Sequence, residues 1–229
     1  MTTIGILGGM GPLATLDLQA KIIWNTPADR DQDHLRTIVW SDPTIPSRSQ
    51  AILHRQPSPL PQLIHGANTL ARAGADFYVI ACHAAHHWQD QLQEAVPLPL
   101  LSMIDLTVQH LAGLRARSVG ILATRPALAV QLYQRQLRNH QIEAVLPEPY
   151  EQEAIDQAVL DVKAGRLNID VSRLNQIVQR MDVDHAIAAC TELPLVLPGV
   201  LDPTLLLAKA VIQRALAPHE AASPAPTPP

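Results

Sequence analysis

Short apolar runs of four or five residues alternate along the chain with longer stretches in which apolar positions recur every three or four residues. The short runs lie at 3–7, 37–40, 77–81, 119–122, 143–146 and 185–189, and each is expected to be a β-strand. The helical stretches lie at 14–24, 59–73, 127–139, 151–164, 171–181 and 203–217, and Gly165, directly after Lys163 and Ala164, is a helix stop. Strand and helix in alternation predict an α/β protein on mainly parallel sheets.

One internal repeat stands out. Ile4-Gly5-Ile6-Leu7 returns 115 positions later as Val119-Gly120-Ile121-Leu122, each followed by a small-residue turn and a helical stretch. Val79-Ile80-Ala81-Cys82 returns 108 positions later as Ile187-Ala188-Ala189-Cys190. Two versions of one unit imply two pseudo-symmetric α/β domains facing across a central cleft. The expected division is 1–103 and 104–203, with 204–217 returning to the first domain as a C-terminal helix. Residues 218–229 carry five prolines and little to bury, and are expected to be a disordered tail.

Composition removes several function classes. Of the 229 residues, 47% are hydrophobic and 17% charged, which excludes a mainly disordered chain. Lys and Arg total 17 against 21 Asp and Glu, a net charge of -4 that offers no footprint for a nucleic acid. One Phe, three Tyr and three Trp are too few for a base-stacking surface. No apolar stretch is long enough for a bilayer, and Met1 leads into a strand without a basic and apolar leader, so a cytoplasmic protein without a membrane partner is expected. Two cysteines in a reducing compartment stay as thiols.

Ligands of an open parallel sheet collect beyond the carboxyl ends of its strands, where both Cys82 and Cys190 fall. Each also stands at the head of an expected helix, whose free N–H groups and dipole favour a thiolate and depress the thiol pKa. The alternative for either cysteine is plain packing, since free cysteine behaves as a small hydrophobe. The matched placement of the pair favours chemistry. Two acid/base groups on opposite faces of one carbon suit a reaction whose substrate and product are mirror images, and it needs no cofactor. A carbanion beside a carboxylate does need cations and N–H donors aimed at that carboxylate.

Other segments carry competing readings. The turn Gly9-Met10-Gly11-Pro12-Leu13-Ala14 fits the loose dinucleotide fingerprint, but the acidic residue expected about twenty positions on is not in register, since the second strand ends nearer Asp42. The turn is read instead as close backbone approach to a carboxylate, with Pro12 in the first helical turn. Cys82-His83-Ala84-Ala85-His86-His87 permits a zinc site with Cys190, yet no second ligand pair accompanies it and no metal is expected. His86 is read as orienting or polarising the Cys82 region, and His87 and Trp88 as covering a helix surface. Arg48, on an expected loop, can hold a carboxylate with two parallel bonds or remain a solvated arginine. Lys163 either reaches the site or offsets the dipole of its own helix.

Gly5-Ile6-Leu7-Gly8-Gly9-Met10-Gly11-Pro12, Ile45-Pro46 with Arg48, Gly74-Ala75-Asp76 leading to Cys82, and Cys190-Thr191-Glu192 together resemble the cofactor-independent aspartate/glutamate racemases, nearest the aspartate branch. The resemblance spans residues 2–217. It implies two domains, catalytic cysteines at 82 and 190, an amino-acid substrate held between the domains, and a homodimer. It also implies carboxylate binding by Arg48 and Lys163, with further contacts from Met10, Gly11, Thr124 and Thr191.

The resemblance departs around the expected ligand. Cys82-His83-Ala84 stands where the family has Cys-Asn-Thr, Thr124-Arg125-Pro126-Ala127 where it has Thr-x-Gly-Thr, and Ser47 where Asp is common. His83 and Ala84 then occupy substrate-contact positions, and a protonated His83 adds positive charge beside the carboxylate. The expected activity is an isomerase interconverting L- and D-aspartate, with glutamate as a second substrate. The alternatives are a related isomerase or decarboxylase acting on another α-carbon acid, and a non-catalytic ligand-binding homologue.

Overall fold

The computed structural model describes residues 2–217, and the tail expected at 218–229 lies outside them. Each half begins with the strand that becomes the middle of its sheet. The first half runs β1 (Thr3–Gly8), α1 (Pro12–Asn25), β2 (Arg36–Ser41), α2 (Arg48–His54), α3 (Leu60–Arg72), β3 (Phe77–Ile80), α4 (Gln89–Ala95) and α5 (Met103–Gly113). The second runs β4 (Ser118–Ala123), α6 (Arg125–Ala129), α7 (Gln134–Asn139), β5 (Glu143–Val145), α8 (Pro149–Lys163), α9 (Ser172–Met181), β6 (His185–Ala189) and α10 (Pro203–Leu216). The two parallel sheets have orders β2-β1-β3 and β5-β4-β6. In register, Ile4 faces Phe77 in one sheet and Val119 faces His185 in the other. A lone parallel bridge then extends each sheet, Tyr78 to Leu100 and Ile187 to Leu201.

The central strands start from the same device. The Asp76 carboxylate accepts the Thr3 N–H at 2.7 Å, and the Asp184 carboxylate accepts those of Arg117 and Ser118 at 2.7 and 3.2 Å. Both sheets are covered on two faces, which is why their strands are apolar runs rather than alternating ones. In the first sheet, Leu7, Tyr78 and Ile80 pack with Leu63, Ala67 and Leu70 of α3. Ile4, Ile6, Phe77 and Val79 pack with Leu18 and Ile22 of α1 and with Leu207, Ala208, Val211 and Ile212 of α10. Burial of each such aliphatic side chain contributes about 1.5–3 kcal/mol. Lys21 on α1 helps seat α10, reaching both Asp17 at 2.5 Å and Asp202 at 2.7 Å, while Asp202 caps α10 through the Thr204 N–H. The second sheet packs Val119, Ile121 and Ile187 with Ile104, Val108 and Leu137, and Leu122 and Ala188 with Ile155, Val159 and Ile177.

The strand positions agree with the sequence pattern to within a residue at each end, but some helices do not. The stretch 127–139 is two short helices, α6 and α7, because the chain turns at Gln131 with φ 55° and the Leu132 N–H closes back on Ala127. Arg48, expected on a loop, opens α2 behind the cap Ser47, whose hydroxyl accepts the Gln50 N–H. The segments after the cysteines are helical but begin as 3₁₀ turns, Ala84–Trp88 running directly into α4 and Leu193–Leu195 ending after three residues. Trp88, expected to cover a helix surface, is packed in the first core, while His87 is exposed. Among the described residues no helix is long and apolar enough to cross a membrane.

Gly9 takes φ 89°, and a Cβ there would stand 2.3 Å from the backbone nitrogen of Asp42. Gly74 has a similar φ of 91° but nothing within 4 Å of its would-be Cβ. The pair separates conformational strain from collision. Gly74→Ala is expected to lose roughly 1–2 kcal/mol and Gly9→Ala at least about 3 kcal/mol in urea unfolding, because moving the Asp42 backbone adds to the cost of the left-handed conformation.

Candidate active site

Cys82 and Cys190 follow the carboxyl ends of β3 and β6, equivalent strands of the two sheets, and both line one cavity of about 50 Å³. Met10, Arg48, Ala84, Thr124, Lys163 and Thr191 line it too, as does His83. Of the residues expected at the site, Gly11 alone is absent from the lining. It stands behind Glu192, whose Oε1 lies 3.3 Å from where a Gly11 Cβ would be.

The glycine turn that positions Met10 is held from inside. Thr15 accepts the Gly9 N–H at 2.8 Å and donates to the Gly11 carbonyl at 3.0 Å. The Gly9 N–H is therefore already engaged, and the close approach expected for a carboxylate is made at Gly9 by the Asp42 backbone. Arg48 is fixed by three carbonyls, with Nη1 donating to Ile45 and Pro46 and Nη2 to Met10, all at 3.1 Å. A guanidinium has five N–H bonds, so this anchoring leaves donors for an anion in the cavity.

Lys163 ends α8, and its side chain is 38% exposed with Nζ 3.6 Å from Glu192 Oε1. Burial lowers its pKa, but the Glu192 carboxylate and the sulfurs of Cys190 and Cys82 outweigh burial and hold it above the usual lysine value. Lys163 is thus an ammonium in the same cavity as the two thiols. Ala127, considered above as a lost hydroxyl position, is 2% exposed and belongs to the second core.

Two expectations about charge are corrected by burial. Cys190 was expected to have a depressed pKa; burial and the neighbouring Glu192 carboxylate instead push it well up, against the pull of Lys163. A three-residue 3₁₀ turn after it supplies little dipole to oppose this. His83 was considered as a protonated donor; burial, with His86 close by, lowers its pKa to about 3, and it is neutral at physiological pH. Its ring rests 5.8 Å from that of Tyr133. His86 is also buried; its Nδ1 is 2.9 Å from the Cys82 carbonyl and its Nε2 accepts the Met103 N–H at 3.3 Å. Both ring nitrogens of the residue that a zinc site would need are thereby occupied by backbone.

Glu192 was quoted in the sequence motif but given no role. It is 2% exposed, its Oε2 accepts the Cys190 thiol at 2.9 Å and the Thr191 hydroxyl at 3.2 Å, and it lines the cavity. Its position two residues after a cysteine was the available signal. Ser49 also lines the cavity, on the first turn of α2, and nothing in its sequence context marked it.

The family model for Asp/Glu/Hydantoin racemase matches residues 7–215. The chain is 28% identical over 227 residues to a broad specificity amino-acid racemase, RacX, of Bacillus subtilis (strain 168), covering 93% of this chain and 98% of that protein. The structure of the Picrophilus torridus aspartate racemase superposes with a TM-score of 0.87 at 30% identity, over 94% of each chain. A glutamate racemase of Francisella tularensis in complex with D-glutamate shares the fold, with a TM-score of 0.69 at 17% identity over 93% of this chain and 80% of that one.

The buried imidazoles make acid stability a probe of the site. His83 has its folded pKa below the usual 6.5, so its contribution to stability is complete above pH 6.5 and is lost as pH falls toward about 3. Unfolding free energy should drop by about 2–3 kcal/mol between pH 7 and 4.5 from this residue. In urea titrations at the two pH values, His83→Asn should flatten that drop, and an unchanged drop would place His83 in contact with water.

Proposed function

The chain belongs to the Asp/Glu/hydantoin racemase family, and on that premise we propose that it interconverts L- and D-aspartate with Cys82 and Cys190 as paired acid and base. The observation that carries this is the convergence of both thiols, from matching strands of the two sheets, on one cavity that also holds the Lys163 ammonium. One thiolate removes the α-proton from one face of the substrate, and the opposing thiol delivers a proton to the other. Arg48 and Lys163 hold the carboxylates and offset the negative charge that develops on the α-carbon. Met10, Thr124, Thr191, His83 and Ala84 complete the pocket in this reading, with Gly11 behind Glu192 and His83 as a neutral imidazole able to donate or accept one hydrogen bond.

Two cations at one cavity support a dicarboxylate substrate, and the likeness to the Picrophilus aspartate racemase supports aspartate. No cofactor takes part in this mechanism. The substrate sits between the halves 1–103 and 104–203. The homodimer expected from the resemblance is supported by Leu16, Ile23 and Trp24, exposed apolar side chains at helical spacing on α1, Trp24 being 76% exposed. A cytoplasmic location belongs to the same reading.

Proton exchange in heavy water tests the reaction directly. NMR should show the α-proton of either aspartate enantiomer replaced by deuterium as racemisation proceeds. Cys82→Ala and Cys190→Ala should each slow racemisation by about 10²–10⁴-fold. Near-normal turnover by one variant would identify a single-cysteine enzyme, and absence of exchange across a panel of amino acids would exclude the racemase. Lys163→Met should raise KM for aspartate more than for alanine, since only the dicarboxylate gains from a second cation.

A further inference from the structure

We propose that Glu192 is a positioning residue that holds Cys190 as the protonated member of the pair between turnovers, so that Cys82 takes the first proton and the two thiols are not interchangeable. The proposal rests on the racemase reading above and deepens it. The Cys190 thiol donates to Glu192 Oε2 at 2.9 Å with both residues buried, and the Thr191 hydroxyl donates to the same oxygen. Among the described residues, no hydrogen bond joins the Cys82 sulfur to a carboxylate.

The charged and titratable groups around this pair come from every side of the cavity. Lys163 approaches from the end of α8, with Nζ 3.6 Å from Glu192 Oε1; Arg48 comes from the head of α2, and Cys82 and neutral His83 from beyond β3. Lys163 faces the carboxylate oxygen away from the sulfur. A negative charge on Cys190 would thus stand directly against the Glu192 carboxylate, with the compensating cation on the far side. Burial and Glu192 outweigh Lys163 and keep the thiol protonated well above the usual range.

The proton balance follows. The substrate C–H bond breaks toward the Cys82 thiolate, and the Cys190 S–H bond breaks as the new C–H bond forms on the opposite face. Cys190 is then a thiolate beside a carboxylate, an unfavourable state that Glu192 and the partly exposed Lys163 relieve by conducting one proton in from water while Cys82 releases one. The free enzyme consequently returns to a single resting form, poised for the enantiomer whose α-hydrogen faces Cys82.

The test reads thiol protonation in the full chain without substrate, by iodoacetamide alkylation resolved on the Cys82 and Cys190 peptides across pH 6–10. In the unaltered protein Cys190 should alkylate with a midpoint clearly above that of a free cysteine. In Glu192→Gln, whose amide can donate to a thiolate, that midpoint should fall by at least one unit and the Cys190 rate at pH 7.5 should rise at least tenfold. The Cys82 rate should change less than threefold. Glu192→Asp should lie between, and circular dichroism establishes that each variant is folded. An ordinary midpoint for Cys190 in the unaltered protein, which needs no variant to fold, overturns the proposal, as does a Cys190 rate in folded Glu192→Gln within twofold of normal. Because alkylation requires no turnover, its failure leaves the exchange experiment untouched, and absence of exchange leaves the thiol assignment standing. Kinetically, kcat/KM must be equal in the two directions for a racemase, so the asymmetry should appear as unequal kcat values matched by unequal KM values, and Glu192→Gln should shift their ratio.

Discussion

A buried carboxylate and a buried thiol share a hydrogen bond, and that pairing is tolerable only because an ammonium stands near the other oxygen. Isolated charge in such a place is too costly to persist, so Glu192 and Lys163 constrain each other. Much of the local architecture serves this. The length of α8 brings Lys163 to the cleft at its last residue, the missing side chain at Gly11 leaves room for Glu192, and Thr15 fixes the turn that carries Gly11. Arg48 is likewise set by carbonyls of its own neighbourhood before any ligand arrives, and a preset donor needs little reorganisation when charge develops near it.

The scaffold is nearly symmetric and the surroundings of its two sulfurs are not. Asp76 and Asp184 start the central strands in the same way, lone bridges extend both sheets, and the two sulfurs follow matching strands. Yet the residues next to Cys82 are neutral, a buried imidazole at His83 and His86 held to the Cys82 carbonyl, while Cys190 is hydrogen-bonded to a carboxylate. A repeated fold supplies two matching positions, and the environment of each is decided by one or two adjoining residues.

The fold was legible because parallel strands covered on both faces must be apolar runs, and the repeat of Ile4–Leu7 at Val119–Leu122 marked the two central strands directly. The pairing of Cys82 with Cys190 was legible for the same reason, since equivalent strand ends fall on equivalent edges of the two sheets. Electrostatic states were not. Whether a cysteine after a strand is favoured as a thiolate depends on the length of the helix that follows and on a carboxylate 2.9 Å away, and neither is set by the residue types alone. His83 looks like a charge in the sequence and is a neutral group in the structure, because the second core closes over it through Tyr133. The break between α6 and α7 was hidden because both flanks keep a helical spacing while Gln131 turns the chain.

The packing of α10 against β1, β3 and α1 has a consequence for synthesis on the ribosome. Ile4, Ile6, Phe77 and Val79 emerge early, but Leu207, Val211 and Ile212, which cover them, are made near the end. The sheet that is translated first is therefore the one finished last, and its apolar face waits, partly bare, through the manufacture of the whole second half. Nascent chains of this protein should be most prone to stick to one another, or to recruit a holding chaperone, during that interval.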